Sequence, residues 1–321
     1  MRELNRLYFH FLSGIFALYF LGFVFFWMFP EHFYRDLFIN FLPYIIALHL
    51  PLVLAYLGFH LFGSDHKRIT GSFLLFFLFS LFVQSGLLLS PYFHTTKSFA
   101  STERQELKVL SANVLKTNVD YESTLRFVRE EDPDVFGLIE LTEPFAEAMR
   151  ALHDDYPHQI TFPYKEGFGI GLYSKLPFVN PSIELLPGGI PYIHTVVEVE
   201  EQPVQVVLIH AMPPFNPEMF AQRNESLKHI ADLTGQSPTI VMGDFNLTPW
   251  STYYSSFVED SGLVSSRDMW NGLQHSWYSW GFYLPIDHLF VSRDIRVLKY
   301  TMGENIGSDH LPIIAELAMN L

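Results

Sequence analysis

Not one cysteine occurs among the 321 residues. That absence removes disulfides, thiolate nucleophiles and thiolate-held zinc together, and it is compatible with an oxidising or a reducing compartment. Basic side chains are scarce where a polyanion would need them. Lys and Arg number 20 against 34 Asp and Glu, net −14. The imbalance is local: residues 1–98 hold 6 basic and 4 acidic side chains, net +2, whereas residues 99–321 hold 14 and 30, net −16. That sign argues against a surface that grips nucleic acid by neutralising phosphates. An internal period is also missing, which excludes a repeat array and leaves room for two regions of ordinary size.

What is present divides the chain near residue 98. Leu7 to Phe29 reads LYFHFLSGIFALYFLGFVFFWMF, without a charge and long enough to cross ~30 Å of hydrocarbon as a helix. Further apolar runs cover about 38–62, which contains Pro43 and Pro51, and about 71–93. Three transmembrane helices within 1–98 are expected, with Pro51 at a potential kink. A buried hairpin of a soluble protein is the alternative, but uncharged runs of this length favour the membrane. No small-residue cleavage site follows the first run, which disfavours a secretory signal peptide. Arg2 and Arg6 precede the first run, and Lys67 and Arg68 lie between the second and third. Lys97, Arg104 and Lys108 pull the other way, but the bias predicts a multi-pass inner-membrane protein with residues 99–321 on the extracytoplasmic side.

Residues 99–321 alternate strand-like runs with helical patterns. LKVLSAN (107–113), DVFGLIE (134–140), GIGLYS (169–174), VQVVLIH (204–210), TIVMGDFN (239–246), PIDHLFVS (285–292) and LPIIAELAM (311–319) predict strands. Tyr121 to Glu131 and Phe215 to Leu233 predict helices. Each apolar run ends in, or breaks for, a residue type capable of chemistry: Asn113, Glu140, His210, Asp244 with Asn246, Asp287, and Asp309 with His310. Active-site groups in α/β sheets gather at strand ends, so one oxygen-rich cluster is expected.

Taken together, SANV, GLIELTE, LIHAMPP, GDFNLTP, PIDHLFVS and GSDHLPI resemble, in this order, the motifs of the endonuclease/exonuclease/phosphatase superfamily. The resemblance spans 99–321 and leaves the membrane region outside. It implies a four-layer α/β sandwich, two packed mixed β-sheets flanked by helices, which the apolar runs show to be preceded by about three transmembrane helices. It also implies a metal-dependent phosphoric ester hydrolase that uses Mg²⁺, with Mn²⁺ as the alternative. Asn113, Glu140 and Asp309 would serve the metal, Glu140 foremost, since hard cations take oxygen ligands. Asp244 would take a proton from water and Asn246 orient the phosphate. Asp287 would fix and charge His310, and His210 would give a proton to the leaving oxygen or bind phosphate. If the strand persists through GDFN, Asp244 and Asn246 share one face and Phe245 takes the other.

The presence of His210 favours a phosphodiester over a monoester, and a membrane lipid headgroup suits an acidic domain tied to a bilayer. An extracytoplasmic nuclease acting on DNA or RNA is the alternative reading, and a non-catalytic membrane-tethered binding module is the second. Singly, most of these residues have structural explanations as turn formers, caps or core groups. His288, Tyr173, Arg223 and Asn224 are read as structural, and Glu143 as the first turn of a helix capped by Thr142. The aromatic run Trp277 to Pro285, WYSWGFYLP, packs as a hairpin by default or borders the entrance to the site.

Overall fold

The computed structural model describes residues 2–62, 67–93, 104–234, 238–268, 271 and 273–320. It resolves into two compact units, one built from residues 1–91 and 250–252, the other from the remainder. The expected boundary at residues 98 and 99 lies outside the described residues.

The N-terminal unit is helical: α1 (Arg2–Met28), α2 (Phe33–Ile39), α3 (Leu42–Phe62) and α4 (Lys67–Leu89), closed by a 3₁₀ turn at Ser90–Tyr92. Three stretches, Glu3–Met28, Leu42–Phe62 and Lys67–Tyr92, are long and apolar enough to cross a membrane, with mean hydropathies of 2.0, 2.0 and 2.1. Their outer faces are apolar as well: Leu18 is 74% and Phe82 77% exposed, an arrangement stable in hydrocarbon and costly in water. Leu12, Tyr56, Phe59 and Phe77 form the core, and the rings of Phe16 and Phe73 stack 4.0 Å apart. Polar groups in this apolar setting bond one another: Tyr56 donates to the Leu12 carbonyl, and Tyr19 meets His49 and Ser80.

The apolar run expected over 38–62 is divided. Asn40 ends α2, its N–H bonding the carbonyls of Asp36 and Phe38, and α3 starts at Leu42. Pro43 therefore falls in a first turn, where a missing N–H costs nothing, and Pro51 lies inside α3.

Among the described residues, the second unit holds fourteen strands and four α-helices. In chain order these are β1 (Arg104–Asn113), α5 (Tyr121–Glu131), β2 (Val135–Ile139), α6 (Glu143–Met149), β3 (His158–Phe162), β4 (Ile170–Ser174), β5 (Phe178–Leu186), β6 (Ile190–Val199) and β7 (Gln202–His210). They continue with α7 (Pro217–Leu233), β8 (Thr239–Asp244), α8 (Thr252–Ser261), β9 (Val264–Ser265), β10 (Trp277–Ser279), β11 (Phe282–Leu284), β12 (Asp287–Val291), β13 (Ile295–Met302) and β14 (Ile313–Asn320). Two six-stranded mixed sheets result, ordered β13-β14-β1-β2-β4-β3 and β5-β6-β7-β8-β12-β9, with β10-β11 as a separate hairpin. Val109, Leu172, Val206, Leu208, Met242 and Leu317 fill the space between sheets. Leu125 and Phe145 cover the outer face of the first, Leu227, Ile230 and Phe257 that of the second. This is the expected four-layer sandwich.

The seven strands and two helices expected from sequence are present. Strands β3, β5, β6, β9 and β13 add to them, and the run Trp277 to Pro285 forms the hairpin β10-β11. β5 is an edge strand that carries Pro181 and a register shift between Val179 and Ser182, with Asn180 at φ +50°, so its alternation is broken. Thr142 precedes α6 at the cap position but makes no side-chain bond there; Pro144 instead opens the helix.

Candidate active site

Register brings the chemistry together. β7 and β8 pair in parallel with His210 opposite Asp244, and β8 and β12 pair antiparallel with Asp244 opposite Asp287. His210, Asp244 and Asp287 thus form one row across three adjacent strands of one sheet. The other sheet contributes Asn113 at the end of β1 and Glu140 just past β2. The two sheets meet chemically at Asn113, whose Nδ2 donates to Asp244 Oδ2 and to Glu140 Oε1, both at 3.2 Å.

The local backbone aims these groups. Glu140 adopts the left-handed conformation at φ +61°, and its Oε2 accepts the Lys116 N–H at 2.9 Å. Asn246 is also left-handed, at φ +49°, because β8 stops at Asp244. The expected strand alternation through GDFN therefore does not hold. Asp244 Oδ1 accepts the Asn246 N–H at 2.9 Å, closing an Asx turn, while Phe245 is buried in the core beneath. Asn246 Nδ2 donates to the Ala211 carbonyl, and buried Arg223 donates to the Asn246 carbonyl at 3.2 Å. Near the C-terminus, Gly307 sits at φ +88°, where a Cβ would lie 2.7 Å from Asn118 Oδ1. The chain then turns so that Ser308 Oγ donates to the Asn113 carbonyl at 2.8 Å and accepts the His310 N–H at 3.0 Å.

His310 Nδ1 lies 2.8 Å from Asp287 Oδ2, with both side chains buried. Burial alone would lower the imidazole pKa. The charge and hydrogen bond of Asp287, helped by Asp244 and Asp309, overcome it and raise the group to about 10. Asp244 moves the other way from an ordinary carboxyl, upward to about 8, through burial first and the charge of Asp287 second. His210 is held down by burial, so its imidazole is neutral near pH 7. Asp244 Oδ2 is consequently flanked by His210 Nε2 at 3.6 Å and His310 Nε2 at 3.8 Å. The site holds a protonated imidazole, a neutral one and a carboxyl poised to exchange a proton near neutrality.

Asp309 is placed apart from this row: its Oδ2 accepts the Trp277 indole N–H at 3.1 Å, and its carbonyl accepts the Tyr278 N–H. The residues read as structural are so situated. His288 Nε2 contacts the Leu247 carbonyl at 2.8 Å in the core, and Tyr173 stacks on Phe136 at 4.6 Å. Several supporting groups carry no sequence signal. Buried Arg267 donates to the Asp287 carbonyl at 3.1 Å, and Ser276 Oγ accepts the N–H groups of Ile286 and Asp287. Only the fold brings them to the site.

The donor set suits a hard divalent cation. Asp244, Asp287 and His310 each bring an atom within 4.8 Å of one another, His310 in its protonated form as a charge partner and not a ligand, and the Glu140 carboxylate joins through Asn113. The half-buried Glu140 carboxylate, held by Asn113 Nδ2 and the Lys116 N–H, supplies the anionic oxygens a hard cation takes.

The fold is a two-sheet α/β sandwich with a carboxylate–imidazole pair and converging acids at its strand ends. The chain belongs to the endonuclease/exonuclease/phosphatase family, whose model matches residues 110–310. Members of this family are phosphoester hydrolases that use divalent metals. Solved structures share the fold. An endonuclease/exonuclease/phosphatase from Beutenbergia cavernae is 19% identical with a TM-score of 0.57, over 67% of this chain and 72% of that one. The 3' phosphatase NExo from Neisseria, bound to product DNA hairpin, is 16% identical with a TM-score of 0.54, over 67% and 100%. Sphingomyelinase C from Streptomyces griseocarneus is 17% identical with a TM-score of 0.50, over 66% and 99%. No curated protein sequence matches.

Proposed function

We propose that this protein is a membrane-anchored, Mg²⁺-dependent phosphodiesterase acting on a lipid headgroup. The observation that carries the reading is the pair of buried imidazoles, His210 and His310, on either side of the Asp244 carboxyl, only one of them bonded to an acid, Asp287. Hydrolysis of a phosphodiester needs a base for water, relief of charge on phosphate and a proton for the leaving oxygen. Asp244, raised toward neutrality, accepts the proton of the attacking water. Protonated His310, held by Asp287, offsets the charge developing on phosphate and has a proton to give the leaving oxygen. Neutral His210 donates a hydrogen bond rather than a proton, and Asn246 orients the phosphate. Mg²⁺ held by Asn113 and Glu140, with Asp309 nearby, supplies charge neutralisation when bound.

Two features favour a lipid. The same chain carries three apolar helices, and residues 99–321 have a net charge of −16. The β10-β11 hairpin adds a third: Trp277 in it bonds Asp309, while Trp280 is 94% exposed and Tyr278, Phe282 and Tyr283 are also exposed. Exposed Trp and Tyr beside a site suit a membrane interface. The catalytic unit is assigned to the extracytoplasmic side of a bacterial inner membrane by the charge bias of the loops.

The test is hydrolysis by the full chain in detergent, with and without Mg²⁺, of phospholipid vesicles, plasmid, RNA and the activated diester bis(p-nitrophenyl) phosphate. Cleavage of the lipid and the small diester, abolished by chelation, is the expected result. Salt-sensitive cleavage of plasmid or RNA with lipid untouched would move the protein to the nucleases. Silence on all four would leave a binding module.

Glu140→Gln is expected to raise the Mg²⁺ concentration for half-maximal activity at least ~10-fold. A titration of diester hydrolysis with Mg²⁺ that superimposes on the parent curve would remove Glu140 from the metal site. Trp280→Ser should leave the soluble diester unaffected and raise the apparent KM for vesicles several-fold, read by comparing the two substrates; equal vesicle kinetics would confine the hairpin to packing.

A further inference from the structure

Strand register decides which loops share an edge of the second unit. β1, β2, β7 and β8 end where β4, β6, β12 and β14 begin, and that edge carries Asn113, His210 and Asp244. Every large apolar side chain exposed among the described residues from 104 to 320 lies on a loop or strand end at this edge. Outside the β10-β11 hairpin, Phe215 after β7 is 81% and Val119 after β1 78% exposed, joined by Leu185 near the end of β5 and Tyr164 between β3 and β4. The turns of the opposite edge expose charge instead: Asp132, Glu200, Glu201 and Arg293.

Single exposed apolar groups are common on soluble proteins, but folding does not require them to gather at one edge, since no core is gained by it. With strands about 4.8 Å apart, a six-stranded sheet spreads these groups over roughly 25 Å, around the site and not in one groove. That footprint is too wide for a small ligand and suits a flat apolar layer. The same chain carries three helices apolar enough to span such a layer. Charge decides its composition: Lys116 and Lys165 at this edge are outnumbered by exposed Asp120, Glu166, Glu218 and Asp268, so an anionic surface is repelled and a neutral one is not. We infer that the catalytic edge docks as a whole onto a zwitterionic bilayer, with Val119, Leu185 and Phe215 entering the headgroup layer alongside the hairpin. The charged edge then faces water. The inference rests on the lipid reading above, but it is measured as depth in the bilayer without turnover. Lipid hydrolysis by a protein whose catalytic edge stays in water would sink the docking and spare that reading.

The experiment uses the full chain reconstituted in phosphatidylcholine liposomes. Because the sequence holds no cysteine, Val119→Cys, Leu185→Cys or Phe215→Cys provides a single thiol for a polarity-sensitive fluorophore, with Glu200→Cys as the control at the opposite edge. Emission at all three positions should shift to the blue and be quenched by spin-labelled phosphatidylcholine, while the control keeps its spectrum in detergent. Replacing half of the lipid with phosphatidylglycerol should lower the quenching at low salt, and added salt should restore it. Phe215→Ser in the Leu185→Cys protein should reduce quenching at least ~2-fold, because the docked face loses a large apolar contact at a position that carries no fluorophore. Circular dichroism checks the fold of each variant, and any one labelled position that folds decides the matter. Absence of quenching at the catalytic edge, equal quenching at Glu200→Cys, or quenching that requires phosphatidylglycerol would each overturn the inference. A dimer that shields the fluorophores from lipid would do the same.

Discussion

Asp287→Asn is expected to cut turnover of a phosphodiester by ~10²–10⁴-fold, the range that general acid–base groups contribute. The substitution is nearly isosteric, so the change acts through charge. In the parent protein, Asp287 2.8 Å from His310 Nδ1 outweighs burial and holds the imidazole up to about 10. Activity that requires protonated His310 therefore persists to alkaline pH and falls only as pH climbs through that value. Without the Asp287 charge, burial prevails and the imidazole loses its proton at lower pH, so the alkaline limb of the profile moves down by several units. The stability linkage has the same sign. A pKa raised on folding contributes stability that is complete below the unfolded value of ~6.5 and is lost as pH rises through the folded one. The measurement is kcat/KM for bis(p-nitrophenyl) phosphate from pH 5 to 10.5, in parent and variant. A variant that retains the parent profile would remove the carboxylate–imidazole pair from catalysis.

Gly243→Ala should have the largest effect on stability. Gly243 lies in β8 at φ +143°, and a Cβ there would sit 1.9 Å from the carbonyl oxygen of Ile209 on β7. Neither the backbone angle nor the space admits a side chain, and the obstacle is backbone that is itself fixed in the sheet. A cost above ~4 kcal/mol is expected, a magnitude confined to a few mechanisms of this kind. For a domain of this size it lowers the midpoint of thermal unfolding by roughly 10 °C or more. Near-ultraviolet circular dichroism of the full chain in detergent reads it; a midpoint within 2 °C of the parent would show that the β7–β8 junction relaxes freely. The glycine of GDFN thus serves the fold, by letting His210 and Asp244 come opposite one another.

Much of this was legible beforehand because it is local. Strand patterns and turn residues marked β1, β2, β4, β7, β8, β12 and β14, each with a polar residue at or just past one end. The helical pattern of Tyr121 to Glu131 is an amphipathic stripe, capped at Asp120 by the Ser123 N–H and closed at Asp132 in the left-handed conformation. Other features were hidden for physical reasons. β5 escapes because a proline and a bulge break its period, and β13 because its register shifts between Val297 and Lys299. The Asx turn after Asp244 overrides the alternation that GDFN suggests, since a side-chain oxygen takes the N–H that a strand would pair.

The site divides along the same line. By itself the sequence determined which residues have chemistry to offer, in what order they come, and that three helices are apolar enough for a membrane, since composition, period and motif are properties of the chain alone. Only the tertiary structure decided which of those residues meet. The bond from Asn113 to Asp244 closes a separation of 131 residues, and the contact between Asn113 and His310 one of 197. It decided too that Asp309 is held by Trp277, and that Asp287 raises the pKa of His310 while burial lowers that of His210. Protonation and partnership depend on burial and on charges that arrive from distant strands, and these exist only once the two sheets have closed on each other.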